Sequence, residues 1–270
     1  MALGIDQPAT IIPETVIVPN GQMHLKAFLW RPEGQGPFPA VLFCHGSGGA
    51  DADHTAGLPI TEAAAKLAPL FLKHGYAFLY LFRRGQGLSA DQGAFMQDIL
   101  KREEATKGKE ARQHLQFVLV TTDHLDDVMA ALAFLKAAPA INAKRIAIVG
   151  HSFGGQLTLL AAERDNSFRA AVTFAAAAGS WEHSPELRGR LRSTVERTTA
   201  PTMLIQAAND YSTAPSQELA DELRSLHKPY VLKIYPPVGR TADDGHNFLY
   251  LAIPQWEHDV FTFLDENVKR

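Results

Sequence analysis

The 270-residue sequence holds a single cysteine, Cys44. One thiol makes no internal disulfide and no cysteine-based zinc cluster, and its place in the apolar run Ala40-Val41-Leu42-Phe43-Cys44 marks it as a core residue. No apolar run reaches the roughly 20 residues that a membrane-spanning helix needs. Met1–Asn20 shows no basic segment followed by an apolar one, so a cytoplasmic protein without a membrane partner is expected. Charge of either sign is in small excess: 26 Lys and Arg stand against 29 Asp and Glu, a net −3. The basic residues are scattered among acidic ones, which leaves no basic face for nucleic acid. No His, Cys and carboxylate residues recur at ligand spacing, so neither a metal nor a dissolved cofactor is expected. Internal repeats and low-complexity tracts are absent too. What remains is a chain of the length that α/β architectures fold as a single domain, 1–270, with a small molecule as its partner and room for a homo-oligomer.

The most informative stretch is Val149-Gly150-His151-Ser152-Phe153-Gly154-Gly155. The β-branched run Ile146-Ala147-Ile148-Val149 leads in, and Gln156 to Glu163 leaves with helical periodicity, giving strand, sharp turn, helix. Gly150 and Gly154 flank Ser152 by two residues on each side, where strand and helix backbones come close and a side chain would keep the turn open. Ser152 is thereby pushed out at the strand's C-terminal end. The helix N-terminus aims free N–H groups at incoming negative charge, and the Phe153 N–H is placed to be one donor of an oxyanion hole. His151, beside the nucleophile, is a candidate substrate-binding residue.

A second such stretch, His45-Gly46-Ser47-Gly48-Gly49, follows the apolar strand Ala40–Cys44. Its glycines let backbone N–H groups converge on one point, and Ser47 is the expected second oxyanion donor. His45 is expected to brace this loop. After the strand Ala77–Phe82 comes Arg83-Arg84-Gly85-Gln86-Gly87-Leu88-Ser89-Ala90, a loose dinucleotide fingerprint. It fails its context test: Glu103-Glu104 lies in a charged helical run rather than at the tip of a second apolar strand. The loop is read instead as one whose arginines brace the site or, as for Arg84, meet a substrate anion.

Asp91–Gln116 reads as a solvated excursion bordering the pocket, and Val118–Ala137 as one long amphipathic helix. Ala175–Thr199, too long for a simple turn, is the candidate lid (176–199), with Trp181 and His183 as candidate pocket residues ahead of a helix over Pro185–Arg197. Asp210 follows the strand Pro201–Gln206, and His246 follows the strand Tyr230–Tyr235. A final helix is interrupted at Pro254. Ser152, Asp210 and His246 each follow a strand and need only proximity to make a triad, in which His246 takes the Ser152 proton and Asp210 holds the imidazole. Glu182, which also follows a strand, is the alternative acid.

These residues resemble the α/β-hydrolase superfamily, and within it the dienelactone-hydrolase-like and acyl-esterase or prolyl-oligopeptidase-like branches. The resemblance rests on His45–Gly49, Arg84-Gly85-Gln86-Gly87-Leu88-Ser89, Gly150–Gly155, Asp210 and Asp244-Gly245-His246. It implies a mostly parallel eight-stranded sheet flanked by helices, its second strand antiparallel, and a cofactor-free serine hydrolase working through an acyl-enzyme. Dienelactone hydrolases proper carry cysteine in the elbow where this chain has Ser152, so carboxylic esters are the expected substrates. The alternatives are a peptidase or acylaminoacyl hydrolase on short peptides, a lactone hydrolase, and, in another class, an inactive binding module.

Overall fold

The computed structural model describes residues 12–48, 54–55 and 58–270. Residues 1–11 and Gly49, on which parts of the leader and oxyanion-loop readings fall, lie outside the described residues. Eight strands make one sheet: β1 (Glu14–Asn20), β2 (Met23–Trp30), β3 (Phe38–Cys44), β4 (Ala77–Leu81), β5 (Ile141–His151), β6 (Phe168–Phe174), β7 (Thr202–Ala207) and β8 (Tyr230–Tyr235). β1 and β2 form an edge hairpin, closed by a two-residue turn with Gly21 at φ 59°. β2 runs antiparallel to both β1 and β4, and every other pairing in this sheet is parallel. β4 lies between β2 and β3, and β5 to β8 follow in order on the other side of β3.

Strand composition explains the layering. In β3 and β4 every second residue enters a different core: Ala40, Leu42, Ala77 and Leu79 face one side, Val41, Phe43, Phe78 and Tyr80 the other. A strand apolar at all positions is stable only if both faces are covered, and here both are. On one face lie α4 (Asp123–Ala137), α5 (Phe153–Arg164), α6 (Pro185–Arg197) and α7 (Ala214–Ser225). On the other lie α1 (Ile60–Lys73), α9 (Phe248–Leu251) and α10 (Ile253–Leu264), where Pro254 opens the helix rather than breaking it. Each fully buried Leu, Phe or Ile contributes about 1.5–3 kcal/mol, so the two cores dominate stability. Among the described residues no helix is long and apolar enough to cross a membrane.

Two expectations about helices change. The stretch Val118–Ala137 is not one helix. α3 (Lys109–Thr121) ends and α4 begins across Thr122, at φ −121° and ψ −95°, whose hydroxyl donates back to the Val118 carbonyl at 2.7 Å. The polar excursion before it is α2 (Met96–Lys107), paired with α3 as a helical hairpin that packs on α4, α5 and α6 rather than on the sheet. Within 176–199, the candidate lid, α6 buries Leu187, Leu191 and Val195 against α5 and α7.

The chain leaves β3 toward β4 on one side, whereas β5 takes the place on the other. The crevice between the loops after β3 and β5 is the switch point where open α/β sheets bind ligands. Ser47 follows β3 and Ser152 follows β5.

Candidate active site

Ser152 sits between β5 and α5 at φ 56° and ψ −118°. A non-glycine residue there carries strain of order 1–3 kcal/mol, which the surrounding packing must enforce. A Cβ on Gly150 would stand 2.3 Å from the Gly154 carbonyl oxygen, and one on Gly154 would stand 1.9 Å from the Cys44 carbonyl oxygen. Both glycines are therefore needed for strand, helix and β3 to meet. The Ser152 N–H donates to Phe174 O at 2.8 Å, and its carbonyl accepts from Gly155 N at 2.9 Å, which pins the turn from both sides.

His246 ends α8 (Ala242–His246), a single turn held by reciprocal capping between Thr241 and Asp244. Asn209 couples the loop after β7 to the loop after β8: its amide donates to Val238 O and Thr241 O, both at 2.8 Å, and its side-chain oxygen accepts from Val238 N at 2.9 Å. A Cβ on Gly245 would come within 2.6 Å of the Asn209 backbone, so only glycine lets α8 lie this close. The result is a continuous chain. Ser152 Oγ is 2.8 Å from His246 Nε2, and His246 Nδ1 is 2.8 Å from Asp210 Oδ1. The Asp210 side chain is fully buried and also accepts from Gln206 Nε2 at 2.8 Å and its neighbour Tyr211 N at 2.7 Å. With Nδ1–H given to a carboxylate, His246 Nε2 is left as the acceptor for the Ser152 hydroxyl. Glu182 is exposed and the carboxylate on His246 is that of Asp210.

The Phe153 N–H belongs to the first turn of α5 and so has no intrahelical acceptor. Ser47 lines the same cavity as Phe153 and Ser152. The loop carrying Ser47 is held by the 83–86 loop, whose arginines were expected to brace the site, and by Gln86 beside them. Buried Arg83 donates to His45 O at 2.7 Å and Gly46 O at 2.6 Å, and Gln86 Nε2 donates to Ser47 O at 3.1 Å and Gly48 O at 2.8 Å. In a trans peptide the carbonyl of one residue and the N–H of the next point to opposite sides. Tying four successive carbonyls to the 83–86 loop turns the N–H groups of Gly46, Ser47 and Gly48 away from it, an arrangement suited to an anion. The guanidinium also lies 5.4 Å from the centroid of the Phe153 ring, linking the Ser47 loop to the start of α5.

Three sequence candidates fall elsewhere than expected. Arg84 meets no substrate space: it is bound to Asp127 and Asp123 of α4, at 2.7 Å and 3.0 Å, because it lies beyond the buried run that carries Arg83 inward. Trp181 does not line the pocket. It is fully buried and donates to Glu218 at 3.0 Å, anchoring the wall segment to α7. His151 is buried behind His246, with its Nε2 2.8 Å from the His246 carbonyl. Burial, then the nearby His246, push its pKa down to about 3, so it is neutral and donates this bond. His45, by contrast, braces its loop as expected: its Nδ1 lies 2.8 Å from Gly46 O, its ring stacks on Tyr80, and burial followed by the Arg83 charge holds its pKa well below the usual range. Of these candidates only His183, together with Ser47 and Phe153, lines the cavity. Burial pushes the Cys44 thiol up to about 12, which makes it inert.

The cavity over Ser152 has a volume of about 350 Å³. α3 walls one side, the Ala177–Leu187 segment the other, and half-exposed Tyr211 covers the His246 ring with ring centroids 4.8 Å apart. Tyr211 is itself fixed by donating its hydroxyl to Asp243 of α8.

Residues 87–249 match the model of the dienelactone hydrolase family, a span that includes Ser152, Asp210 and His246. The chain belongs to the dienelactone hydrolase family. The quorum-quenching protein AidA of Acinetobacter baumannii (strain MDR-ZJ06) is similar, 27% identical over 161 residues, which are 60% of this chain and 43% of that protein. The chain thus spans less than half the length of that relative. Among solved structures, a putative dienelactone hydrolase of Klebsiella pneumoniae has a TM-score of 0.66 at 18% identity, over 96% of this chain and 98% of that one. The acylaminoacyl peptidase of Pyrococcus horikoshii has a TM-score of 0.68 at 19% identity, over 97% of this chain but 42% of that one. Est1E of Butyrivibrio proteoclasticus, with bound ferulic acid, has a TM-score of 0.67 at 18% identity, over 94% and 100%. At these identities the neighbours speak for the fold. The dienelactone hydrolase family membership places the chain in the α/β-hydrolase superfamily, and the Cys44 thiol lies in its core.

Proposed function

We propose that this protein is a serine esterase that cleaves carboxylic esters of small molecules through an acyl-enzyme. The observation that carries the reading is the chain Ser152 Oγ, His246 Nε2, His246 Nδ1, Asp210 Oδ1, closed by two 2.8 Å contacts at the mouth of a cavity. In the first half-reaction His246 Nε2 takes the Ser152 proton as Oγ attacks the ester carbonyl. The tetrahedral oxyanion is received by the Phe153 and Ser47 N–H groups, donors aimed where charge develops rather than where it rests in the substrate. His246 then gives its proton to the leaving alcohol, and in the second half-reaction a water repeats the sequence on the acyl-enzyme. Asp210 stabilises the imidazolium and fixes its tautomer without taking a proton.

The test combines covalent labelling by a fluorophosphonate with turnover of p-nitrophenyl esters, lactones and aminoacyl anilides, on wild type and Ser152→Ala. Wild type is expected to label and to cleave esters, with both lost in the variant and the melting transition kept. Anilide or lactone turnover exceeding that of every ester would move the reading to a peptidase or lactonase. Activity persisting undiminished in purified Ser152→Ala would overturn the mechanism itself.

A further inference from the structure

The cavity over Ser152 has two zones of different chemistry. On the α5 side its wall carries the buried apolar side chains of Phe153, Val120, Ala177 and Leu187, with Gln156 among them donating to Ser180 at 3.3 Å. Further out the α2–α3 hairpin contributes Gln97, Arg112, Gln113 and Gln116, all half-buried. Gln113, Gln116, Phe117 and Val120 follow one another at three- and four-residue spacing, so one stripe of α3 runs from amide to hydrocarbon toward Ser152. The side chains of Gln97, Gln113 and Gln116 make no hydrogen bond to any described residue. Arg112, by contrast, is answered within the hairpin, its Nε 3.1 Å from Glu104 Oε2. The outer zone therefore offers neutral amide donors and acceptors beside a cation already paired.

Half-buried amides without protein partners are satisfied by water until a substrate arrives. An alkyl chain laid across them removes that water and returns nothing, whereas an amide or hydroxyl of the substrate replaces it bond for bond. Sites built to hydrogen-bond discriminate far more strongly against the analogue that lacks the group than apolar pockets do against an added one. We infer that the cap glutamines select substrates with a short apolar stem next to the ester and a neutral hydrogen-bonding group, amide or hydroxyl, beyond it, over alkyl chains of the same length. This rests on the esterase reading above and adds its substrate class.

The experiment compares chain-matched esters. In one series the acyl group varies as p-nitrophenyl hexanoate, N-acetyl-β-alaninate and hemiadipate. In the other the alcohol varies, as the acetates of pentanol and of N-(2-hydroxyethyl)acetamide. Rates are divided by those of hydroxide-catalysed hydrolysis to remove intrinsic reactivity. Wild type is expected to favour the amide member by about tenfold or more in kcat/KM in at least one series, the scale set by one amide left unpaired. In the double variant Gln113→Leu, Gln116→Leu the ratio is expected to fall to within about twofold, because the alkyl member then gains contacts and the amide member loses them. Both positions are half-buried on a helix surface, and a melting curve checks the fold. Equal turnover in both series, or a preference that survives the double substitution, would overturn the inference and leave the esterase reading intact. So would a preference for the hemiadipate that Arg112→Gln abolishes, since that would make the outer zone an anion site. No turnover of any ester, with no fluorophosphonate label, would instead remove the esterase reading and this inference with it.

Discussion

Arg83 is a fully buried cation that forms no salt bridge among the described residues, and it spends its donors on the carbonyls of His45 and Gly46. Burial lowers its pKa to about 10, which still leaves it charged at neutral pH. Keeping a charge in the core is costly, the more so with Nε left without a partner among the described residues, so its retention points to what it positions, the loop that carries Ser47. Gln86→Leu, which frees Ser47 O and Gly48 O, is expected to lower kcat by about tenfold or more while KM holds, because a misaligned donor weakens only the transition state. Steady-state kinetics on a fluorogenic ester check this, and a change in KM alone would refute the positioning role. A second comparison concerns the acid. Asp210→Asn is expected to cut kcat by about 10²- to 10⁴-fold, whereas Glu182→Gln, an exposed residue away from His246, is expected to leave it nearly unchanged. At this scale the residues that meet in the Ser152–His246–Asp210 chain were legible in the sequence, because each lies in the connection that follows a strand, and a parallel sheet puts all such connections at one end. Arg83 was not, since two adjacent arginines follow β4. Only the observation that Tyr76–Phe82 is buried without interruption shows that the first of them is still inside the core.

The elbow and α6 show what a glycine does in two settings. Gly154 has a carbonyl oxygen 1.9 Å from where a Cβ would stand, and that oxygen belongs to β3, which cannot give way. Gly154→Ala is therefore expected to yield insoluble or unfolded protein. Gly189, exposed inside α6 with nothing within 4 Å of its Cβ position, makes the opposite forecast. Gly189→Ala is expected to stabilise by about 0.8–1 kcal/mol, the helix propensity difference, seen as a rise of about 2 °C in Tm. A scan of both variants by circular dichroism decides the matter. Elements were legible where their periodicity came from burial against the sheet. α2 buries only Met96 and Leu100, so its sequence reads as a solvated run although it caps the cavity. The break between α3 and α4 was hidden for a related reason: apolar positions continue across Thr122, and the helix ends because that hydroxyl closes the preceding turn. Position 176–199 was legible as a long insertion beside the pocket. Its anchoring was not, since Trp181 reaches Glu218 on α7, a contact between residues far apart in the chain.

Taken over the whole molecule, three histidines are buried around the site: His45, His124 and His151. Desolvation is the largest cause of lowered pKa at all three, followed by the Arg83 charge for His45 and His124 and by His246 for His151, which falls to about 3. None has a carboxylate to compensate, and each leaves a ring nitrogen without a partner among the described residues, as a neutral buried imidazole does. In the unfolded chain the same rings titrate near 6.5. Below that value the unfolded state binds more protons than the folded one, so stability rises with pH there and is lost as pH falls toward the folded values. For a histidine that stays neutral in the fold, as His151 does, the loss between pH 7 and pH 5 is about 2 kcal/mol, and His45 and His124 add to it in the same direction. The window lies above the range in which exposed carboxylates titrate, which separates the two effects. Urea unfolding at pH 7 and pH 5 measures it. His124→Phe, whose ring would keep the edge contact with Phe153 at 5.4 Å between centroids, removes one titrating group and is expected to reduce the loss. Stability that is flat from pH 7 to pH 5 in the wild type would mean that these rings take up protons in the fold, and that the bond from His151 to the His246 carbonyl is not made by a neutral imidazole.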